Sequence, residues 1–168
     1  MMATASPKLG LRPFLPADAP LLAEIFRASI AELTVDDYTE AQQAAWASTA
    51  DDEAEFSERL GRQLTLVGML DGAPVGFISL EGAEQIDMLY VHPVVAGQGM
   101  GTMLYDAVEK LAAARGAAKL KVEASDSASD FFKHRGFVAQ QRNSVSHAGE
   151  WLANTTMEKK LPAKEGRA

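Results

Sequence analysis

The stretch Met88-Leu89-Tyr90-Val91-His92-Pro93-Val94-Val95-Ala96-Gly97-Gln98-Gly99-Met100-Gly101-Thr102 decides how this chain is read. An apolar run composed like a strand stops at Pro93, glycines follow at 97, 99 and 101, and a helical pattern then begins. Glycines let successive backbone N–H groups turn toward one point, and a helix start adds its positive end. Such a strand–loop–helix junction is an anion cradle suited to a pyrophosphate.

Upstream of it the pattern is first helical and then strand-like. Leu9 to Phe14 reads as a short edge strand. Asp18 is placed to cap a helix with Leu21, Leu22, Ile25, Phe26 and Ile30 at helical spacing. Thr39 to Ala47 reads as a second helix capped by Thr39, with Trp46 on its buried side, and Asp51 to Leu60 as a third. Gln63 to Leu70 and Val75 to Leu80 are strands joined by Asp71-Gly72, a strong hairpin signal, and Ile86 to Val91 follows the turn at Glu81-Gly82. Downstream, Thr102 to Arg115 is a helix with Met103, Leu104, Ala107, Val108 and Leu111 on one face. Leu120 to Glu123 is a strand, Ser125 to Arg135 a short helix stopped by Gly136, and Val138 to Val145 and Leu152 to Leu161 two last strands. This order predicts a single α+β domain over 1–168 with a mixed, mostly antiparallel sheet flanked by helices, and a frayed tail over about 162–168.

Composition narrows the function. The 168 residues include no cysteine, which excludes disulfides, zinc–thiolate sites and thiol nucleophiles. A net charge of −7 argues against nucleic acid as a partner. Met1 to Ser6 has no apolar signal region and no segment reaches the length of a membrane span, so a cytoplasmic protein without a membrane partner is expected. The histidines show no metal-ligand spacing, and no metal is expected.

The glycine loop has rivals. Glu123, about twenty residues on, stands where a dinucleotide fold places its ribose-binding acid, but Thr102 occupies the position of that fingerprint's last glycine. A P-loop would need Gly-Lys-Ser/Thr, and the lysine is missing. The segment Ala96 to Gly101 after Tyr90-Val91-His92-Pro93 resembles motif A of the GNAT superfamily of N-acetyltransferases, Arg/Gln-x-x-Gly-x-Gly/Ala. Ala128-Ser129-Asp130-Phe131-Phe132-Lys133-His134-Arg135-Gly136-Phe137 is similar to its motif B, Ala-x-x-x-Tyr-x-x-x-Gly-Phe. The resemblance implies a sheet whose central strands splay apart and acetyl-CoA as co-substrate, released as CoA. It places backbone groups of Leu89, Tyr90 and Val91 along the pantetheine arm, the amides of Gly97, Gln98, Gly99, Met100, Gly101 and Thr102 on the pyrophosphate, and Ser125 and Phe132 beside the cofactor. It also implies an amine acceptor, a small molecule in preference to a protein, and a homodimer. Two departures stand out: Ala96 replaces the motif's Arg or Gln, and Phe132 replaces its tyrosine. They keep open a non-catalytic acyl-CoA-binding module, beside the dinucleotide oxidoreductase.

Acetyl transfer to an amine needs the amine neutral, and an alkyl ammonium has a pKa near ~10.4. Glu81, Glu84 and Asp87 are candidate proton acceptors; Asp87 stands out because strand alternation would put it on one face with Leu89 and Val91. Tyr105 and Tyr90 could donate a hydroxyl proton or simply pack as half-buried aromatics. An acceptor pocket is expected from the N-terminal helices and the last hairpin, where Asp36, Asp37, Glu40, Trp46 and Trp151 lie, against the plainer reading of a solvated helix face and two core tryptophans.

Overall fold

Leu64–Leu70 (β2) and Ala73–Glu81 (β3) are apolar runs joined by the Asp71-Gly72 turn, and they pair antiparallel with Leu66 opposite Ile78. The computed structural model describes residues 8–162, so the expectations for Met1 to Ser6 and for the tail beyond Pro162 lie outside the described residues. Leu9–Pro13 (β1) borders β2, and Gln85–Val91 (β4) pairs antiparallel with β3. The helix Met100–Ala114 (α4) then crosses to Lys119–Ser125 (β5), which lies parallel to β4. Val138–His147 (β6) and Glu150–Lys160 (β7) close the sheet as a hairpin, giving the order β1-β2-β3-β4-β5-β7-β6. The mixed, mostly antiparallel sheet expected from the sequence is the one that forms.

Its central parallel pair is short. Only Gln85–Lys121 and Ile86–Val122 are in register, and beyond them β4 and β5 part. The separation has a topological cause: β4 is held by β3 along its length and β5 by β7 from Lys119–Lys160 to Ser125–Asn154, so each strand follows its own antiparallel partner.

Two cores fix the sheet from opposite faces. Ala19–Leu33 (α1), Glu40–Ala47 (α2) and Glu53–Arg62 (α3) cover one face through Leu22, Phe26, Phe56 and Leu60 against Val67, Phe77 and Met88. On the other, α4 and Ser129–Lys133 (α5) pack Leu104, Tyr105, Val108 and Phe132 against Ile78, Leu80, Ile86 and Val122. Each such side chain contributes about 1.5–3 kcal/mol of burial. Thr39 caps α2 reciprocally with Gln42, and the Asp52 carboxylate accepts the Glu55 amide at 3.1 Å to start α3.

Several local expectations need correction. The Asp18 side chain does not cap α1; it accepts the Leu15 amide at 2.8 Å and both arms of Arg12 at 2.7 Å, an ion pair that holds its pKa below the usual value. Leu21 and Leu111 face solvent, and α4 turns Tyr105 and Ala112 inward instead. The short helix after β5 covers only Ser129–Lys133, because residues 125–128 form a turn closed by the Ala128 amide on Ser125. Trp151 is 64% exposed and is no part of a core. Among the described residues no helix is long and apolar enough to cross a membrane.

Candidate active site

The loop between β4 and α4 needs its glycines. Gly97 has φ +79° and Gly99, which caps α4, has φ +91°, a region that side chains strain. A Cβ at either position would meet nothing within 4 Å, so the loop opens on free space. The Gln98 amide bonds to the Val95 carbonyl at 3.2 Å. Those of Met100, Gly101 and Thr102 belong to the first turn of α4, which has no carbonyl of its own to bond them. The Gln98 side chain folds back on the Val94 carbonyl at 3.3 Å, and the Met100 side chain is buried, so these two residues offer backbone rather than side chain.

The strand leading to the loop carries an irregularity. Ser79 pairs with Met88 but Leu80 pairs with Ile86, leaving Asp87 without a partner in the ladder. This bulge resets the alternation of faces. Ile86, Leu89 and Val91 pack on the α4 side, while Met88 and Tyr90 pack on the α1–α3 side. Asp87 joins the latter, where Arg59 of α3 clasps both its oxygens at 2.8 Å and Gln63 adds a third bond at 2.8 Å. The expected shared face of Asp87 with Leu89 and Val91 is therefore overturned. Beyond the bulge His92 donates to the Val75 carbonyl on the β3 side at 2.8 Å, so alternation turns the N–H and C=O groups of Leu89 and Val91 into the gap left by β5.

The gap is the inner part of a cavity of about 480 Å³ that passes through the sheet. Leu89, Val91, Gly101, Val122, Ala124, Ser125, Ala128, Phe131 and Phe132 line it toward α4 and α5. Toward α1 and α2 it is lined by Phe26, Ser29, Thr34, Tyr38, Trp46, Thr49 and Tyr90, with His147, Leu152 and Asn154 of the last hairpin. Of the residues expected at the cofactor, Leu89, Tyr90, Val91, Gly101, Ser125 and Phe132 border the cavity, while Gly97, Gln98, Gly99, Met100 and Thr102 stand outside its lining. The Ser125 hydroxyl is engaged by the Ala128 amide at 3.1 Å.

The two residues expected to catalyse fare differently. Asp87 lines the cavity but is neutralised by Arg59. Tyr105 does not line it: the ring is buried among Phe131, Phe132 and Phe137, where burial above all, then Glu109 and Asp106, raises its pKa well above the usual range. Tyr90 is likewise pushed up, chiefly by burial, and its hydroxyl accepts from Trp46 Nε1 at 3.2 Å.

Sequence reasoning missed a second carboxylate. Val122 and Ala124 enter the α4-side core, so Glu123 between them turns to the other face, one register step from the Asp87 bulge. Its Oε2 accepts from Thr156 at 2.6 Å and Asn143 at 3.0 Å, and no cation pairs with it among the described residues. The signal is in the sequence, since Glu123 alternates with Val122 and Ala124, but the dinucleotide pattern offers it only as a ribose ligand.

The acceptor end is built mostly from other residues than those expected. Of Asp36, Asp37, Glu40, Trp46 and Trp151, only Trp46 lines the cavity. Asp37 instead accepts from Ser127 at 2.8 Å. Tyr38 donates to the Ala153 carbonyl at 2.6 Å and accepts from the Asp126 amide at 2.9 Å, tying the α1–α2 loop across the cavity to β7. His147 Nε2 lies 2.7 Å from Thr49 Oγ1, which joins the hairpin tip to the end of α2.

The chain is similar to known proteins in sequence and fold. A family model for an acetyltransferase (GNAT) domain matches residues 34–161. The chain is 31% identical over 147 residues to the uncharacterized N-acetyltransferase YafP of Escherichia coli (strain K12), covering 88% of this chain and 93% of that one. The crystal structure of the GCN5-related N-acetyltransferase "Aminotransferase, Class-II" from Rhodopseudomonas palustris is 61% identical, with a TM-score of 0.90 over 96% of this chain and 99% of that one. The PaiA N-acetyltransferase of Thermoplasma acidophilum, solved with coenzyme A, shares the fold at a TM-score of 0.76 and 19% identity, over 92% of this chain and 99% of that one.

Proposed function

Because the chain belongs to the GNAT family of N-acetyltransferases, we propose that it moves the acetyl group of acetyl-CoA to a small-molecule amine by direct attack within a ternary complex, in the cytoplasm where that thioester is available. Family membership sets aside the dinucleotide oxidoreductase and the non-catalytic acyl-CoA-binding module. The observation that carries the reading is the juxtaposition of the free backbone edge of Leu89 and Val91 with the open amides at the start of α4. The first pairs with an amide-bearing arm as another strand would, and the second holds a pyrophosphate.

The acetyl group then lies where β4 and β5 part, beside the Asp87 bulge, and the amine enters from the side of Trp46, Tyr38 and His147. Glu123 is the carboxylate free to take the ammonium proton, directly or through a water, because Asp87 is held by Arg59 and Gln63. The neutral nitrogen attacks the thioester carbon, the C–N bond forms and the C–S bond breaks. The second proton lost by nitrogen ends on the departing sulfur. Phe132 has no hydroxyl to assist and Tyr105 is out of reach, but a thiolate whose conjugate acid has a pKa of about 8.5 leaves without an acid. The exposed edge strand β6 is where the expected homodimer would pair.

The test is release of free CoA with a panel of alkylamines, aryl-alkylamines, polyamines, amino acids and a lysine peptide. Turnover of at least one amine is expected. Binding of acetyl-CoA without turnover on any of them would return the chain to the acyl-CoA-binding module. On the best amine, Glu123→Gln should lower kcat by roughly 10²–10⁴-fold near neutral pH. The loss should shrink as pH rises toward the amine's own pKa. Asp87→Asn should cost less than Glu123→Gln, and the reverse order would reinstate Asp87 as the base.

A further inference from the structure

The loop lacks the side-chain ligand its motif normally has, since Ala96 carries only a methyl group. A guanidinium stands nearby from a different element. Arg135, just after α5, lies over the Phe131 ring with its Cζ 3.5 Å from the centroid and donates from Nη1 to the Phe131 carbonyl at 2.9 Å. Its Nη2 donates to the hydroxyl of Thr102 in the first turn of α4. Its Nε is buried without a partner, and no carboxylate pairs with it among the described residues.

This placement is electrostatically one-sided. The start of α4 carries the positive end of a fifteen-residue helix, and Arg135 brings a full positive charge to the same spot. Stacking on Phe131 fixes the guanidinium but supplies no counter-charge. With the Thr102 oxygen accepting from Arg135, the hydroxyl keeps its own hydrogen to donate. Arginine, first-turn amides and hydroxyl all present donors, and an anion between them relieves the repulsion.

We propose that Arg135 is the side-chain phosphate ligand of this loop, binding the pyrophosphate of acetyl-CoA beside Thr102 and standing in for the arginine or glutamine absent at Ala96. The proposal rests on the reading of the 97–102 loop as the pyrophosphate cradle.

The experiment measures CoA, dephospho-CoA and acetyl-pantetheine binding to wild type, Arg135→Gln, Arg135→Lys and Gly99→Glu by calorimetry, with competition for the weak ligand. Loss of a charge-assisted phosphate bond should weaken CoA and dephospho-CoA alike by roughly ten- to hundredfold in Arg135→Gln, and less in Arg135→Lys. Acetyl-pantetheine, which has no phosphate, should bind both variants as it binds wild type. An equal loss for acetyl-pantetheine would make Arg135 a packing residue, and unchanged CoA affinity in Arg135→Gln would remove it from the site. Loss for CoA but not dephospho-CoA would move the contact to the 3′-phosphate and overturn the assignment. Gly99→Glu reports on the cradle separately: if it binds CoA as wild type does, the loop reading fails, whatever Arg135 does.

Discussion

Met100, the first residue of α4, is seated on a floor of two glycines, and that seat can be tested by a double-mutant cycle. Gly68 of β2 pairs with Gly76 of β3, and the buried Met100 side chain rests on both. A Cβ added at Gly68 would lie 2.3 Å from Met100 Sδ, while ordinary contact begins at 3.4 Å, so the thioether must retreat by about 1.1 Å (3.4 − 2.3) inside a filled core. Overpacking of this kind costs about 1–3 kcal/mol, offset by roughly 0.5–1 kcal/mol for replacing a strand glycine. Met100→Ala alone removes the thioether and costs about 2–5 kcal/mol. In Gly68→Ala/Met100→Ala the clash disappears and the new methyl fills part of the vacancy. The double variant should therefore be more stable than the sum of the singles by roughly 1–3 kcal/mol. Urea unfolding at neutral pH, with m-values compared to confirm a common two-state transition, gives all four stabilities. Additivity within about 0.5 kcal/mol would refute the close seat. Because the same methionine anchors the start of α4, Gly68→Ala should also weaken CoA binding severalfold while leaving every loop residue in place.

Two titrations probe other parts of the structure. The Asp18 pKa is lowered, first by its hydrogen bonds from Arg12, so the pair's contribution is present above the unfolded carboxylate's range and lost as pH falls through the lower folded value. With the partly exposed Arg12 discounted, Asp18→Asn should cost about 1–2 kcal/mol at pH 7, and the difference from wild type should shrink steadily as pH falls below the unfolded carboxylate's range; a gap that stays undiminished in acid would show that the ion pair is not its source. All three tyrosines, Tyr38, Tyr90 and Tyr105, have their pKa raised with burial as the largest cause, so phenolate absorbance near 295 nm should be nearly absent from the folded protein at pH 10, and stability should fall as pH rises beyond that because only the unfolded chain readily gives up these protons. A half-ionised native spectrum at pH 10 would contradict their burial.

The features legible in the sequence were those set by neighbours in the chain. Asp71-Gly72 dictated a two-residue hairpin, Thr39 with Gln42 a capped helix, and the glycines between Pro93 and Thr102 a strand–loop–helix junction. What depended on distant partners was misread. Leu111 fits a helical stripe as well as Tyr105 does, and only the sheet beneath α4 selects Tyr105. Trp151 is large and apolar, yet it is exposed on the last hairpin, while its neighbour Leu152, on the opposite face of β7, is buried. Arg135 stands 33 residues from Thr102, and no local pattern signals that they touch. The departure at Ala96 is visible in the sequence, but the residue proposed to answer it, Arg135, is brought beside the loop only by folding.

The carboxylates show most clearly why one irregularity outweighs a correct motif. Alternation along β4 assigns Asp87 to the face of Leu89 and Val91, and with it the role of base beside the cofactor. A single unpaired residue at the bulge reverses that face and delivers Asp87 to Arg59. The same reversal organises the charge of the cavity. With Asp87 neutralised, Glu123 is the lining carboxylate that no cation pairs with among the described residues, and it is oriented by Thr156 and Asn143 through Oε2. In the proposed mechanism one uncompensated negative charge beside the parting of β4 and β5 attracts an ammonium group and accepts its proton. In that mechanism Arg59 would act on the chemistry without touching the reactants: by holding Asp87 it leaves Glu123 as the carboxylate to meet the amine.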